Sequence, residues 1–520
     1  MSDVTPKAGA REWTGLAVLA LPTLLLSLDQ SVLFLALPSL AEALRPTGNQ
    51  MLWIMDIYGF LMAGFLVTMG TLGDRIGRRR LLLIGAAAVL VTSLLAAYSG
   101  SAEMLIVSRA LLGVAAATIM PSTLALIGNM FHDPAQRGRA FALWASCFLV
   151  GTALGPVVGG LLLEHFWWGS AFLLGVPVML ILLVAGPMLL PEYKAPVGGK
   201  LDLISVVLSL AGILPVIYGI KEIAKYGFDV MPVAVALAGL IMGALFVLRQ
   251  GRLEHPVVDV TLFRNGAFTA SLLIQVILMV AVAGSYLFIT GFLQMVQGLS
   301  PMHAGLWMVP SAIASIVSAQ LAPGLAKRFS TAAVIAVGLV VAAAGYVMIA
   351  FVDPVGGLPL LVIGFVIAFF GTGPIGALGT NLIVSAAPPE KSGSAASLSE
   401  TASHLGVAVG IATLGSLGSI VYRSSVTVPD GVPAADAETV RNSLEGALGA
   451  AQDLTGSVAG QLLAGAREAY TSGLNVVAVV CAAFAAATAL IALTALRRAV
   501  TDSSGQPSRG DKPLQPAESP

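Results

Sequence analysis

Charge is scarce in this chain. Of its 520 residues only 10% are Asp, Glu, Lys or Arg, while 57% are apolar; a soluble globular domain carries about a quarter charged residues. A soluble enzyme is therefore excluded. Lys and Arg together number 27 and so do Asp and Glu, so the formal net charge is zero and an overall attraction to nucleic acid has no basis. The two cysteines, Cys147 and Cys481, lie singly in apolar stretches, which argues against a disulfide framework or a thiolate metal site. Five histidines form no ligand cluster, and no phosphate-cradling G-x-x-x-x-G-K-[ST] loop occurs, so neither a metal centre nor a nucleotide-driven machine is supported. No cleavable leader is expected, because the run Ala17 to Leu28 passes through Asp29 into another apolar run ending at Leu40.

What the chain does have is length in apolar segments. Stretches near 20 residues, enough to cross a hydrocarbon core of about 30 Å, recur along almost the whole sequence. Fourteen helices are expected, at 14–41, 49–71, 80–99, 103–128, 139–163, 168–190, 203–221, 231–249, 267–296, 302–325, 331–352, 357–386, 393–421 and 472–496. With this assignment 20 of the basic residues fall in alternate connections and at both termini, 6 in the opposite connections, and Arg109 alone within a span. Short cytoplasmic loops are the ones enriched in Lys and Arg, so both termini are expected in the cytoplasm. The polar, small-residue region 423–471 reads as an extracellular insertion. Asp436 could cap a helix carrying Val440, Leu444 and Leu448, and a second stretch carries Leu454, Val458 and Leu462, so a helical hairpin is expected there. The Ser-, Pro- and Gln-rich tail 500–520 has little apolar content and is expected to be disordered.

An ionisable side chain at bilayer depth costs roughly 2.5–3.5 kcal/mol on insertion scales, so each one calls for a partner or a purpose. Asp29 lies midway through the first helix, either as a permanently neutral packing group or, the reading favoured, as a working one. Asp56 follows Trp53 and precedes Tyr58, about 10 Å deep in the second helix at about 1.5 Å per residue. A carboxylate among aromatic rings suits a bulky lipophilic cation, which gains Coulomb attraction and cation–π contact. Glu400 lies about 13 Å into the helix 393–421, with His404 one turn on along the same face. Such a pair could take up and release protons. Arg109 needs an internal partner, and Asp29 across the bundle is the candidate; a static tie between helices is the alternative.

Two further segments have structure in their spacing. Gly70-Thr-Leu-Gly73-Asp74-Arg75-Ile-Gly77-Arg78-Arg79-Arg80 combines topology-setting arginines with glycines for a tight turn and an acid able to change partners. Gly151, Gly155, Gly159 and Gly160 repeat small residues on one helix face, and Pro156 among them favours a kink.

These segments resemble the major facilitator superfamily, and within it the fourteen-helix drug:proton antiporters. The loop matches G-x-L-[AG]-D-R-x-G-R-[RK]-x. Leu105 and Arg109, followed by Gly113, match L-x-x-x-R. Gly151 to Gly160 match G-x-x-x-G-P-x-x-G-G, and Leu28 to Pro38 match L-D-x-[ST]-V…A-L-P. Trp53, Asp56 and Tyr58 look like the subset that exports quaternary ammonium compounds and dyes. The resemblance implies an all-α membrane fold of two six-helix bundles, 1–202 and 253–499, with two extra helices in 203–252. It implies a monomeric plasma-membrane antiporter for lipophilic cationic drugs such as ethidium, acriflavine-like dyes and fluoroquinolones, run by the proton gradient without a bound cofactor. Asp29 and Glu400 would carry protons with Arg109 beside them; Asp56 would recognise the cation, sharing the substrate with Trp53, Tyr58 and Glu400. The loop Gly70–Arg80 would act as the conformational switch. Two departures stand out: Leu112 replaces the usual Gln before Gly113, and 302–325 contains no carboxylate. An exporter of an endogenous metabolite, lipid or siderophore would share every motif except the acidic, aromatic pocket.

Overall fold

A computed structural model describes residues 8–194, 202–226, 229–253, 256, 260–386, 392–454 and 456–496, and they are almost wholly helical. The tail 500–520 lies outside them. The first half contains α1 (Ala10–Leu44), α2 (Gly48–Ile76), α3 (Arg78–Ala97), α4 (Ala102–Ala116), α5 (Ile119–Met130), α6 (Pro134–His165), α7 (Ser170–Leu173) and α8 (Gly175–Leu189). A pair follows, α9 (Leu203–Tyr226) and α10 (Val230–Gln250). The second half contains α11 (Gly266–Gly291), α12 (Pro301–Arg328), α13 (Thr331–Ile349), α14 (Leu358–Ser385), α15 (Ser392–Ser425), α16 (Ala434–Asn442), α17 (Leu444–Gln452) and α18 (Ser457–Ile491). Among the described residues, eleven helical stretches are long and apolar enough to cross a membrane, or twelve when the bent α2 is counted as one span.

Two expected helices are interrupted, each at a proline. Pro121 has no N–H to give the carbonyl of Ala117, and the chain breaks there between α4 and α5. Pro177 does the same to Leu173, where α7 ends before α8. The arginines of 75–80 gather at one end of the molecule, the arginine end, with the start of α1. Arg11 Nη2 donates to the Met188 carbonyl at 2.9 Å and Arg79 Nη1 to Leu190 at 2.9 Å. The insertion between α15 and α18 marks the other, the hairpin end.

The glycine repeat of α6 brings the halves together. A Cβ on Gly151 would stand 2.5 Å from the Leu24 carbonyl oxygen, and one on Gly155 2.4 Å from Ser31 Cβ, so this face lies against the backbone of α1. Gly160 faces the other way, within 2.7 Å of Met302 Cα for an added Cβ, and one on Gly305 of α12 would meet the Pro156 carbonyl oxygen at 2.1 Å. Thus α6 is pressed between α1 of its own half and α12 of the other, near the hairpin end. Gly155→Val should force α1 away and destabilise the purified protein by about 1–3 kcal/mol. A thermal melt in detergent checks this; an unchanged midpoint would mean the contact yields freely.

The insertion is helical, but not as two arms. The expected first arm is divided at Ser443, whose backbone is extended (φ −163°, ψ 157°) and whose hydroxyl accepts from Gly446 N–H at 3.1 Å, capping α17. Asp436 does not cap; it lies in the first turn of α16, after Pro433. Val458 and Leu462 of the expected second arm belong to the last span: α18 runs unbroken from Ser457, and no proline stands between there and Ile491. The apolar stripe is covered, with Val440 and Leu444 buried. Tyr422 Oη on α15 donates to the Val440 carbonyl at 3.0 Å, and Arg467 Nε on α18 to Met295 at 3.3 Å.

Glu445, at the start of α17, is partly covered, and burial pushes its carboxyl above the ordinary carboxylate range, only partly offset by hydrogen bonds to its own backbone and to Ser443. The packed hairpin therefore favours the protonated acid. Its contribution is complete below the ordinary carboxylate pKa and is lost as pH rises through the raised one. Hydrogen exchange of the α17 amides, corrected for intrinsic rate, should quicken from acidic to neutral pH, and Glu445→Gln should remove the trend. A trend that survives the substitution would assign it to another group.

Candidate functional site

The centre of the first half is built on Arg109. α4 places its side chain among α1, α2 and α7, where it is 2% exposed. Three acceptors satisfy it: Asp29 Oδ2 at 3.3 Å from Nη1, the Ile54 carbonyl at 3.1 Å from Nε and the Met55 carbonyl at 3.5 Å from Nη2. The guanidinium also lies 4.7 Å from the ring centroid of Tyr58 and 5.8 Å from that of Phe172. The expected pairing of Arg109 with Asp29 is present. Gly113 allows it, since a Cβ there would be 2.4 Å from the Tyr58 carbonyl oxygen and would push α4 off α2.

Two cavities flank this centre. One lies inside the first half, where Asp29, Ser93, Phe172 and Gly175 line it. The other lies between the halves, lined by Phe34, Met55, Asp56, Arg109, His404 and Ile411 among others. Tyr58 lines both and so forms part of the wall between them. Asp56 is completely buried. The two acids of the first half thus face different spaces, with Arg109 and Tyr58 between.

The other expected residues divide. Trp53 is half-buried on α2 and does not line the cavity. Glu400 is half-buried on α15, one turn nearer the arginine end than His404, and it is His404 that lines the cavity with Asp56. Residue spacing alone gave no means of telling which of the two would face inward.

At the arginine end, Asp74 is paired within its own loop: Arg78 Nη2 lies 2.6 Å from Oδ1. Arg75 is exposed, and Gly70 and Gly73 run past Pro121 and Arg78, respectively. Gly77 has φ +112°, a conformation that disfavours any side chain, and its Cβ would lie 2.4 Å from Glu192 Oε1. Glu192 was missed in the sequence. It follows α8, accepts from Arg79 N–H at 3.2 Å, and stands 3.6 Å from Arg79 Nε and 3.7 Å from Arg80 Nε, while Tyr193 O accepts from Arg78 N–H at 2.8 Å. A lone Glu beside Pro191 carries no signal of a partner more than a hundred residues away. Because these pairs are partly solvated, worth about 0.2–1 kcal/mol each, Glu192→Gln should slow maximal transport about 2–5-fold and leave equilibrium substrate affinity unchanged. Vesicle transport rates beside binding isotherms check this; a loss of affinity at full rate would contradict it.

No group of three or more His, Cys, Asp or Glu able to hold a metal ion occurs among the described residues.

Two helical halves closing on a buried, charged interface cavity define a multi-pass membrane transporter rather than an enzyme. The chain belongs to the Major Facilitator Superfamily, whose sequence pattern matches residues 19–411. It is 44% identical over 494 residues, 95% of this chain and 98% of the relative, to the multidrug efflux pump LfrA of Mycolicibacterium smegmatis. It is 33% identical to the methyl viologen resistance protein SmvA of Salmonella typhimurium, covering 88% of this chain and 93% of that one. With the tetracenomycin C resistance and export protein of Streptomyces glaucescens it shares 30% identity over 94% of this chain and 93% of that protein. Among solved structures, the fold is similar to a bacterial homologue of the human lysosomal transporter Spinster in an inward-facing, unoccupied conformation. The TM-score is 0.67 at 17% identity, covering 95% of this chain and 99% of that one.

Proposed function

We propose that this protein exports lipophilic cationic drugs and dyes, quaternary ammonium compounds and ethidium among them, across the plasma membrane in exchange for protons. The observation that carries the reading is the interface cavity: a fully buried Asp56 in an apolar wall, next to an Arg109 already engaged by Asp29. With Arg109 engaged by Asp29, Asp56 when ionised supplies a negative charge to the cavity wall. Protonating Asp29 would release Arg109 towards the cavity and weaken cation binding there. A ligand and a proton can drive each other only through such a difference in affinity. Relatives named for multidrug efflux and for drug resistance support export.

The same reading holds that the chain crosses the membrane fourteen times, with α2, α6 and α9 added to the eleven stretches already described, and that the arginine end is cytoplasmic. Close approaches of the halves lie on the hairpin side, between α6 and α12 and between Leu52 of α2 and Gly415 of α15, which suits a protein open towards the cytoplasm. Glu400 is the second proton acid in this scheme, placed on the cytoplasmic side of the cavity.

Ethidium extrusion from energised cells, with and without a protonophore, tests the proposal. Extrusion should stop with the protonophore and should fail in Asp56→Asn. Export that continues at full rate after the proton gradient is collapsed would defeat it.

A further inference from the structure

We infer that Phe34 is a stacking platform for planar aromatic cations, and that Tyr286, reaching across from the opposite half, holds the platform in place. This rests on the export reading and narrows it to a ligand class.

Two benzenoid rings line the interface cavity, Phe34 and Tyr58, beside the smaller imidazole of His404. Tyr58 already has the Arg109 guanidinium 4.7 Å from its ring centroid, so Phe34 is the ring left to a ligand. The rest of the wall is largely aliphatic, with Leu33, Met55, Val407 and Ile411. An aliphatic ammonium ion gains charge attraction and burial anywhere on such a wall. A fused, planar cation gains in addition by stacking, for which Phe34 offers the broadest ring not already faced by a guanidinium.

Phe34 is held from the other half. Its ring makes an edge contact with Tyr286 of α11, centroids 5.0 Å apart at 62°. Behind Tyr286, Phe365 and Phe369 of α14 lie 6.1 and 6.3 Å away and pack on each other at 4.4 Å. Tyr286 is therefore wedged by its own half while it grips α1. Phe34 lies five residues beyond Asp29, about 7.5 Å nearer the hairpin end, on the side where the halves meet. Opening there withdraws Tyr286 from Phe34. The platform is firm while that end is shut and slack once it opens, so affinity for a planar cation falls on the side to which an exporter must deliver it.

The experiment compares two monovalent cations, ethidium and tetrapentylammonium, binding to the full-length purified protein and to Phe34→Leu, Tyr286→Leu and Tyr286→Phe. Stacking on one ring is worth about a tenfold affinity difference. Phe34→Leu should thus weaken ethidium about tenfold and tetrapentylammonium less than about twofold. Tyr286→Leu should move the same ratio in the same direction, and Tyr286→Phe, which keeps the ring, should restore most of it. Should Phe34→Leu not fold, the two Tyr286 variants decide. Equal weakening of both cations, or ethidium affinity unchanged in the leucine variants, overturns the platform. Binding of neither cation by the unmodified protein is a different outcome, because it overturns the export reading itself and the platform with it.

Discussion

Asp29→Asn is expected to abolish uphill efflux and to hold substrate affinity at the weaker level of the protonated Asp29 state, about tenfold down and independent of pH. The substitution keeps the shape of the side chain and removes its titration. Asp29 faces the cavity inside the first half, not the one between the halves, so a bound cation need not touch it. Its influence on substrate runs through Arg109, 3.3 Å away. Without a proton to exchange, the variant should still let a dye equilibrate down its gradient. Counterflow of labelled ethidium in vesicles beside gradient-driven uptake separates the two abilities. Uphill transport at the normal rate by Asp29→Asn would remove this residue from proton coupling.

Arg109→Met should be the most destructive single change. It strands Asp29 without its guanidinium and takes from the Ile54 and Met55 carbonyls the donor they have besides those of their own helix. Breaking a buried pair from one side costs about 3–5 kcal/mol, because the remaining charge stays buried. Little folded protein should be recovered. Adding Asp29→Asn should restore folded yield, since the uncompensated charge is gone, but not coupled transport. The double-mutant cycle gives the interaction directly, and a coupling energy near zero would mean that the pair adds nothing to stability. Arg109→Lys is not conservative here: a point ammonium cannot reach three acceptors arranged for a planar fork.

Much of this was legible in the residues. The apolar runs located nearly every helix, and a guanidinium within a span demanded an acid, which Asp29 supplied. The glycine spacing of α6 announced a close approach, though not that it serves α1 on one face and α12 on the other. The interruptions at Pro121 and Pro177 were not read, because hydropathy averages across them. The start of α18 was misplaced for a different reason. Gln461, Arg467 and Glu468 end an apolar run, but a helix can leave the membrane without ending, and nothing between Ser457 and Ile491 breaks the backbone. Glu192 and Tyr286 could not have been found, since each acts on residues distant in sequence, and a single Glu or Tyr carries no record of its partner. His404 was weighed as the lesser of a pair with Glu400; the rotation of α15 decides which faces Asp56, and one-turn spacing leaves that open.

The central claim is that a cation moving one way and a proton moving the other share the Asp56–Arg109–Asp29 centre. Proteoliposomes holding an internal pH dye, with no gradient imposed, test it most directly. When ethidium is added outside, inward movement of the cation should drive protons out and raise the internal pH, and Asp29→Asn should carry ethidium with no pH change. Ethidium uptake by the unmodified protein with the internal pH constant would contradict the account.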